Sequence, residues 1–317
     1  MTIRTLSRAL FRGLLVVLMG APGLAFAADY PSKPITILVA FGAGGGTDAF
    51  IRAIAEPVSK ELGQTILIQN KPGAGGGVAA MAVKSADADG YTLIATGSLT
   101  YTFEPQVQKT AYSVDDFTHV AVVNQFQEGL FTHPDRPYTS MRELIDLAKA
   151  ENRDIKYASL YQLDRHIFSY VGRKEGVKFI PVPTKGGIGT VQAALANQVD
   201  FGVSGGTFGP HVESGALRLI GAMTADRLER FPDTPSMNDN GWMVGSQNYL
   251  MVSAPKGTPS DVVARLAEAF KKSINDEKVQ AIVKQRYMRN VYFGPDDVDE
   301  ALAKQKAMFG EMLDSIK

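Results

Sequence analysis

The chain has 317 residues, with 33 lysines and arginines, 33 aspartates and glutamates, and no cysteine. Its length predicts two domains, and a hydrophobic content of 45% is that of an ordinary globular protein and excludes a disordered chain. The balanced charge argues against binding to nucleic acid, and the absence of cysteine excludes disulfides, thiol catalysis and iron–sulfur clusters.

Residues 1–27 have the pattern of an export signal. Three arginines and no acid precede a short apolar run at 13–20, and the small-x-small sequence Ala25-Phe26-Ala27 follows. The apolar run is too short for a membrane span, which needs about 20 residues. We therefore expect this segment to be removed and the mature chain, with a formal charge of −3, to be a periplasmic monomer.

Strands and helices alternate along the rest of the chain. Strands are predicted at residues 35–40, 65–69, 92–95, 120–123, 129–133, 155–158, 179–181, 201–204, 218–223 and 249–253. Helices are predicted at residues 48–62, 77–85, 141–150, 165–175, 191–197, 259–274, 276–287 and 295–316. This order is typical of βαβ units in an α/β protein with parallel sheets.

Two irregular segments divide the series into two lobes. Residues 97–116 predict a long polar connection, and residues 232–245 predict a loop that returns the chain toward the first lobe. We predict lobe 1 at 28–124 plus 249–317 and lobe 2 at 125–248, each a mainly parallel sheet flanked by helices. The C-terminal helices should cover the sheet of lobe 1. The cleft between the lobes is then the expected ligand site.

The strongest local motif is Phe41-Gly42-Ala43-Gly44-Gly45-Gly46-Thr47-Asp48, between the first strand and the first helix. Ligands of open α/β sheets bind at the carboxyl ends of strands, where a helix N-terminus and a glycine backbone favour an anion. Thr47 or Asp48 is expected to cap the helix. A simple tight turn is the alternative interpretation. Neither of the two nucleotide-binding patterns, G-x-G-x-x-G and G-x-x-x-x-G-K-[ST], is present.

Three further glycine-rich segments follow predicted strands. Residues 70–77 are expected to form mainly a structural turn, whereas Lys185-Gly186-Gly187 offers lobe 2 a helix N-terminus and a cation, unless the lysine is simply solvated. Gly202-Val203-Ser204-Gly205-Gly206 matches the nucleophile elbow of hydrolases. After Ser204 the only histidine is His211, with no acid between them, so a catalytic triad cannot be built in that order.

The histidines give no sign of a metal site. The chain has four of them, at positions 119, 133, 166 and 211, and no pair has the i, i+4 spacing of helical metal ligands. We therefore expect neither a metal nor a cofactor.

Seven motifs in a fixed order resemble the periplasmic substrate-binding proteins of tripartite tricarboxylate transporters, the Bug family. They lie at residues 30–35, 41–48, 70–76, 182–187, 197–200, 227–235 and 254–259. The resemblance covers essentially the whole mature chain. It implies a two-lobed, type II periplasmic binding fold that closes on a small carboxylate and delivers it to a membrane permease without catalysis.

The resemblance also implies a set of ligand contacts in each lobe. In lobe 1 these are Phe41, Gly42, Ala43, Gly44, Gly45, Thr47, Asp48 and Ser98. In lobe 2 they are Ser159, Tyr161, Gln162, His166, Lys185, Gly186, Gly187, Ser204, Gly205, Gly206 and Thr207. His166 matches a histidine that is common at this position of the family, and structural packing is the other interpretation of it.

The loops at 40–45, 159–165 and 204–208 depart from the usual family sequences, so a typical ligand should not be assumed. The last of these loops contains no acid, and only Asp48 and Asp164 lie on the candidate loops, which argues against an amino acid. We expect a mono- or dicarboxylate with an apolar or aromatic body, because Phe41, Tyr161 and Phe208 are available to stack on a ring. A flexible aliphatic diacid or a citrate-like acid is the alternative.

Two other functions stay open from the sequence. One is an exported enzyme with Ser204 or His166 as the catalyst. The other is a sensory module that presents its ligand state to a membrane receptor.

Overall fold

Two five-stranded sheets form the framework of the protein. The computed structural model describes residues 30–184 and 186–317, so the predicted export signal lies outside the described residues. Within that part of the chain, no helix has the length and apolar character needed to cross a membrane.

The observed elements alternate as the sequence predicts. The strands are β1 (Ile35–Val39), β2 (Ile66–Asn70), β3 (Thr92–Gly97), β4 (Phe117–Gln125), β5 (Gly129–Thr132), β6 (Ile155–Ser159), β7 (Phe179–Pro183), β8 (Phe201–Ser204), β9 (Arg218–Ala222) and β10 (Tyr249–Pro255). The α-helices are α1 (Gly46–Leu62), α2 (Gly77–Lys84), α3 (Leu99–Thr102), α4 (Glu104–Val107), α5 (Met141–Glu151), α6 (Gln162–Glu175), α7 (Gly186–Leu195), α8 (Gly209–Glu213), α9 (Ser260–Ser273), α10 (Glu277–Gln285) and α11 (Pro295–Ser315).

The two sheets share one topology. Their strand orders are β2-β1-β3-β10-β4 and β7-β6-β8-β5-β9. In each sheet four strands run in one direction, and only β10 or β5 is reversed. The reversed strand is the one that enters from the other lobe, because it arrives without the crossover helix that a parallel connection needs. The predicted α/β fold with two mainly parallel sheets is confirmed.

Both sheets are buried on their faces by helices. In lobe 1, Phe50 of α1 and Phe270 of α9 pack on the apolar strands around Val39. In lobe 2, the rings of Tyr157 and Phe201 stack with centroids 5.1 Å apart. Burial on both faces explains why inner strands such as β1 and β8 read as apolar runs, whereas the edge strand β2 alternates between half-buried and exposed positions.

The segment at 97–116 is not the polar connection that we predicted. It contains α3, α4 and a short 3-10 turn at Val114–Asp116, and Tyr101 and Phe103 are fully buried.

Helix α7 also begins at Gly186, five residues before the predicted start, because glycines at its first turn hide the helical period.

The last helix belongs to both lobes. Helices α9 and α10 cover the sheet of lobe 1 as predicted, but α11 does so only with its N-terminal half, where Leu302 lies in a lobe 1 core. Phe309 and Met312, farther along α11, pack into the main core of lobe 2. The predicted lobe boundaries fall at the end of β4 and the start of β10, and we keep them as a proposal.

Replacing Phe309 with alanine should lower the free energy of unfolding by about 3–5 kcal/mol, because it opens a cavity where α11 joins the two lobes. Phe309 is fully buried and makes an edge contact with Phe103 at 5.4 Å between ring centroids. Urea unfolding measures the change, and the exposed neighbour Lys306→Ala serves as the control, with an expected effect within about 0.5 kcal/mol. A loss below about 1 kcal/mol for Phe309→Ala would show that α11 does not tie the lobes together.

Candidate functional site

The first glycine loop ends β1 and leads directly into α1. Gly45 is the N-cap of α1, without a side-chain cap, so the prediction that Thr47 or Asp48 caps this helix is wrong. The amides of Gly46, Thr47 and Asp48 have no acceptor within the helix, since they form its first turn. Beside Gly42 and Gly44 the space is open. The loop therefore presents backbone N–H groups and little side-chain bulk.

Asp48 supports this loop from within the protein. Its carboxylate accepts hydrogen bonds from the Gly44 amide (2.8 Å), Arg52 Nε (2.9 Å) and Asn70 Nδ2 (2.9 Å). Asn70 also donates to the Phe41 carbonyl at 3.0 Å, which fixes the other end of the loop. Burial opposes ionisation of Asp48, but these hydrogen bonds outweigh it and lower its pKa. These contacts show that Asp48 supports the loop, and its contact with the ligand stays a prediction.

Ser98 joins β3 to the strand that returns from lobe 2. Its amide donates to the Tyr249 carbonyl at 2.8 Å, and its hydroxyl accepts from the Tyr249 amide at 3.0 Å and donates to the Gln247 carbonyl at 3.3 Å. The residue is fully buried. Its polar groups are thus used to hold the crossing segment in place.

Two asparagines near the end of β4 and the start of β10 were not identified from the sequence. Asn124 lies opposite Leu250, and both polar atoms of its side chain are buried without a partner in the described part of the chain. Asn248 Oδ1 is also buried and unpartnered there, and it lies over Gly97. An unpaired buried amide costs about 1–3 kcal/mol, so these groups favour water or ligand nearby. The sequence offered one signal for such a group, since Asn124 directly follows the apolar strand predicted at 120–123.

At the start of α6, Ser159 and Asp164 form a closed network. The Ser159 hydroxyl donates to Asp164 Oδ1 at 2.7 Å, and the amides of Leu160 and Tyr161 donate to Oδ2 at 2.6 and 2.9 Å. Arg165 Nε donates to the Ser159 hydroxyl at 3.1 Å. The hydroxyl of Ser159 is therefore engaged within the protein, and the loop around Tyr161 is rigidly held.

Tyr161 points its hydroxyl to a buried acid that the sequence did not place near the loops. The hydroxyl lies 2.6 Å from both carboxylate oxygens of Glu128, which lies between β4 and β5 and is only 3% exposed. Burial raises the pKa of Glu128 to about 7, although the hydrogen bond from Tyr161 lowers it in part. Asp48 and Asp164 are the acids on the candidate loops, and Glu128 adds a third acid that reaches one of these loops from outside it.

His166 lies against lobe 1. Its Nδ1 is 2.9 Å from the Gln162 carbonyl, and its ring makes an edge contact with Phe103 at 5.4 Å. This geometry supports the structural interpretation of His166 as a packing residue between the lobes. Gln162 is exposed at the first turn of α6.

The remaining predicted residues of lobe 2 come together at the ends of β7 and β8. Thr207 Oγ1 donates to Ser204 Oγ at 2.9 Å, and a Cβ on Gly187 would lie 2.8 Å from Thr207 Oγ1. Gly186 and Gly205 border open space. Lys185 lies outside the described residues. As in lobe 1, the exposed part of this group is glycine backbone.

The chain that leaves α10 connects the two glycine-rich groups. The Arg286 carbonyl is packed so closely on Gly206 that a Cβ there would overlap it. Tyr287 stacks on Phe231 of lobe 2, with planes 10° apart and centroids 6.0 Å apart, and its φ of 51° is unusual for an aromatic residue. This contact between the lobes was not foreseen, since no local motif marks it.

A surface pocket of about 820 Å³ lies elsewhere, between β4, α9 and α11. Glu268, Asp296 and Asp299 line it beside Lys256 and Lys271, and none of the predicted site residues does. The acids outnumber the lysines in this lining, whereas the first glycine loop presents the amides of a helix N-terminus, so the glycine loops are the better candidate site for a carboxylate.

Residues 50–317 match the model of the tripartite tricarboxylate transporter family receptor. The chain belongs to this receptor family.

Individual relatives of the receptor agree with this assignment. It is 30% identical over 301 residues, covering 93% of this chain and 92% of the relative, to the UPF0065 protein in the gbd 5' region of Cupriavidus necator. Its structure is similar to that of the periplasmic binding protein BugD, with a TM-score of 0.75 and 26% identity, covering 90% of this chain and 98% of BugD. It is also similar to a protein from R. palustris solved with adipate, with a TM-score of 0.78 and 25% identity, covering 91% of this chain and 98% of that chain.

The buried carboxyl of Glu128 makes the stability of the receptor depend on pH. The unfolded chain releases this proton near pH 4.5, whereas the folded chain retains it until about pH 7. The folded state binds more protons in between, so the free energy of unfolding should fall by on the order of 3 kcal/mol as pH rises through this window. Urea unfolding between pH 4.5 and 7.5 measures this.

Glu128→Gln should remove that fall, because the amide keeps the shape of the side chain and does not titrate. The comparison of slopes isolates Glu128 from the other raised carboxyls, Asp164 and Glu104, which both proteins retain. Equal slopes for the two proteins would contradict the assignment.

Proposed function

We propose that this receptor is a periplasmic solute-binding protein that captures a small carboxylate between its lobes and delivers it to the permease of a tripartite transporter. The observation that carries the proposal is the pair of glycine-rich loops at 41–47 and 204–207. Arg286 contacts both, the first through its side chain and the second through its carbonyl. Membership of the receptor family supports the permease as a partner. The likeness to BugD supports a periplasmic location.

Backbone amides explain why an anion is the proposed ligand. The first turn of α1 offers three unpaired N–H groups at the positive end of the helix dipole, and an anion there gains both hydrogen bonds and electrostatic stabilisation. Open space beside Gly42, Gly44 and Gly205 leaves room for its body. The R. palustris relative solved with adipate supports a carboxylate.

Within this class, the side chains favour a flexible aliphatic acid over the aromatic acid that the sequence predicts. Phe208 is fully buried and packs on Phe131 with centroids 5.8 Å apart, so its ring serves the core of lobe 2. Tyr161 is fixed by Glu128. Of the three rings proposed to stack on the ligand, Phe41 alone is partly exposed without a hydrogen bond to a buried acid. An aliphatic dicarboxylate needs no stacking and fits the loops as they are.

We further propose that the receptor is not an enzyme. Ser204 is fully buried, and its hydroxyl accepts a hydrogen bond from the Thr207 hydroxyl, whereas a nucleophilic serine donates its proton to a histidine. His166, the other candidate catalyst, packs on Phe103. Both candidate catalysts thus have structural contacts, and among residues 30–184 and 186–317 neither is hydrogen-bonded to a side chain that could act as its base or nucleophile.

Isothermal calorimetry against aliphatic dicarboxylates, aromatic dicarboxylates, citrate, glutamate and aspartate tests the ligand class. We expect the tightest binding for an aliphatic dicarboxylate such as adipate, with the ligand recovered unchanged. The melting temperature should rise when ligand is added, because a ligand at a hundredfold excess over Kd stabilises the native state by about 2.7 kcal/mol. Binding of glutamate or aspartate alone, or turnover of any ligand, would contradict the proposal.

Gly42→Leu and Gly205→Leu should each abolish binding of the dicarboxylate without unfolding the protein. Neither glycine has a positive φ, and nothing lies within 4 Å of an added Cβ, so the new side chain enters the open space of the cleft. Gly294→Leu is the matched control, since its backbone is extended like that of Gly205 and the nearest atom to its Cβ is 3.9 Å away. Normal affinity in both cleft variants would place the ligand elsewhere.

A further inference from the structure

Arg286 lies between the two glycine-rich loops. It follows α10 directly, and its Nη2 donates to the Gly44 carbonyl of the first loop at 3.3 Å. Its own carbonyl packs on Gly206 of the second loop. The residue therefore contacts both halves of the proposed cleft.

The guanidinium group has hydrogen-bonding capacity left over. Its Nε is buried and has no partner among residues 30–184 and 186–317. The hydrogen bond that its Nη2 makes goes to a neutral carbonyl, so this contact does not compensate the charge. A buried donor on a charged group is costly unless an acceptor arrives, and a carboxylate matches the planar fork of an arginine.

Arg289, three residues away, offers a contrast. Its guanidinium lies 3.9 Å from the carboxylate of Asp226, so an acid of the protein already accompanies it. Both arginines lie in the segment that follows α10, and of the two it is Arg286 whose side chain contacts the first glycine loop.

We propose that Arg286 binds a carboxylate of the ligand together with the amides at the start of α1. This inference rests on the proposed function and names a side chain of the same site. The amides supply directional hydrogen bonds, and the guanidinium supplies a full positive charge that the glycine loop itself lacks. Because the Arg286 carbonyl rests on Gly206, the grip on the anion is complete only when the two lobes are in contact.

The test compares Arg286→Met, Arg286→Lys and the control Arg289→Met by calorimetry with adipate, at two ionic strengths. Methionine keeps an apolar stem and removes the charge. We expect Arg286→Met to weaken adipate binding about 10- to 100-fold, Arg286→Lys to recover part of that loss, and Arg289→Met to stay within twofold of the unchanged protein. The salt dependence of Kd should be weaker in Arg286→Met, because one charge contact is missing.

The outcomes separate this inference from the function on which it rests. If the unchanged protein binds adipate and Arg286→Met binds it equally well, the assignment of Arg286 is overturned and the proposed function stands. Equal losses in Arg286→Lys and Arg286→Met, with lowered melting temperatures and an unaltered salt dependence, would show a structural role and also overturn it. If the unchanged protein binds neither adipate nor any other carboxylate of the panel, the proposed function fails and the assignment fails with it.

Discussion

The carboxylate of Asp48 organises the first glycine loop, on which the proposed site depends. A loop built largely from glycine has little conformational preference of its own, so an anion would have to order it at an entropic cost. Asp48 removes that cost in advance by accepting hydrogen bonds from Gly44, Arg52 and Asn70. Its first-turn position in α1 places a negative charge behind the loop, where the helix dipole favours it. The amides ahead of it keep the open side for another anion.

The second constraint is the set of contacts that joins the lobes. Helix α11 places Phe309 in the core of lobe 2, Tyr287 stacks on Phe231, and the Arg286 carbonyl rests on Gly206. A larger residue at Gly206 would clash with the Arg286 carbonyl, and truncation of Phe309 or Tyr287 would open a cavity. A ligand that touches both loops, as we propose, would stabilise the arrangement in which these contacts form, whereas a ligand that touches one loop would not favour it. The proposed site therefore couples ligand recognition to contact between the lobes.

Much of the fold follows from local sequence, whereas much of the site does not. Apolar runs and helical periods predict both sheets, because burial on both faces gives β1 and β6 their composition. The glycine-rich segments in the sequence likewise predict the two loops at which we propose that the ligand contacts the backbone. By contrast, Glu128 meets Tyr161, and Arg286 meets Gly44, across long stretches of chain. No local pattern marks such pairs. Candidates chosen by position, such as Ser159, proved to be occupied by neighbours that only the packed structure brings near.

The central claim is that the ligand's carboxylate lies on backbone amides at the start of α1, between the two glycine-rich loops. A crystal structure of the protein with the tightest-binding dicarboxylate tests this most directly. We expect a carboxylate oxygen within about 3.2 Å of the Gly46 or Thr47 amide, with the body of the ligand against Gly205. Ligand density outside the cleft, or ligand held in the cleft by side chains alone with these amides facing water, would contradict this placement.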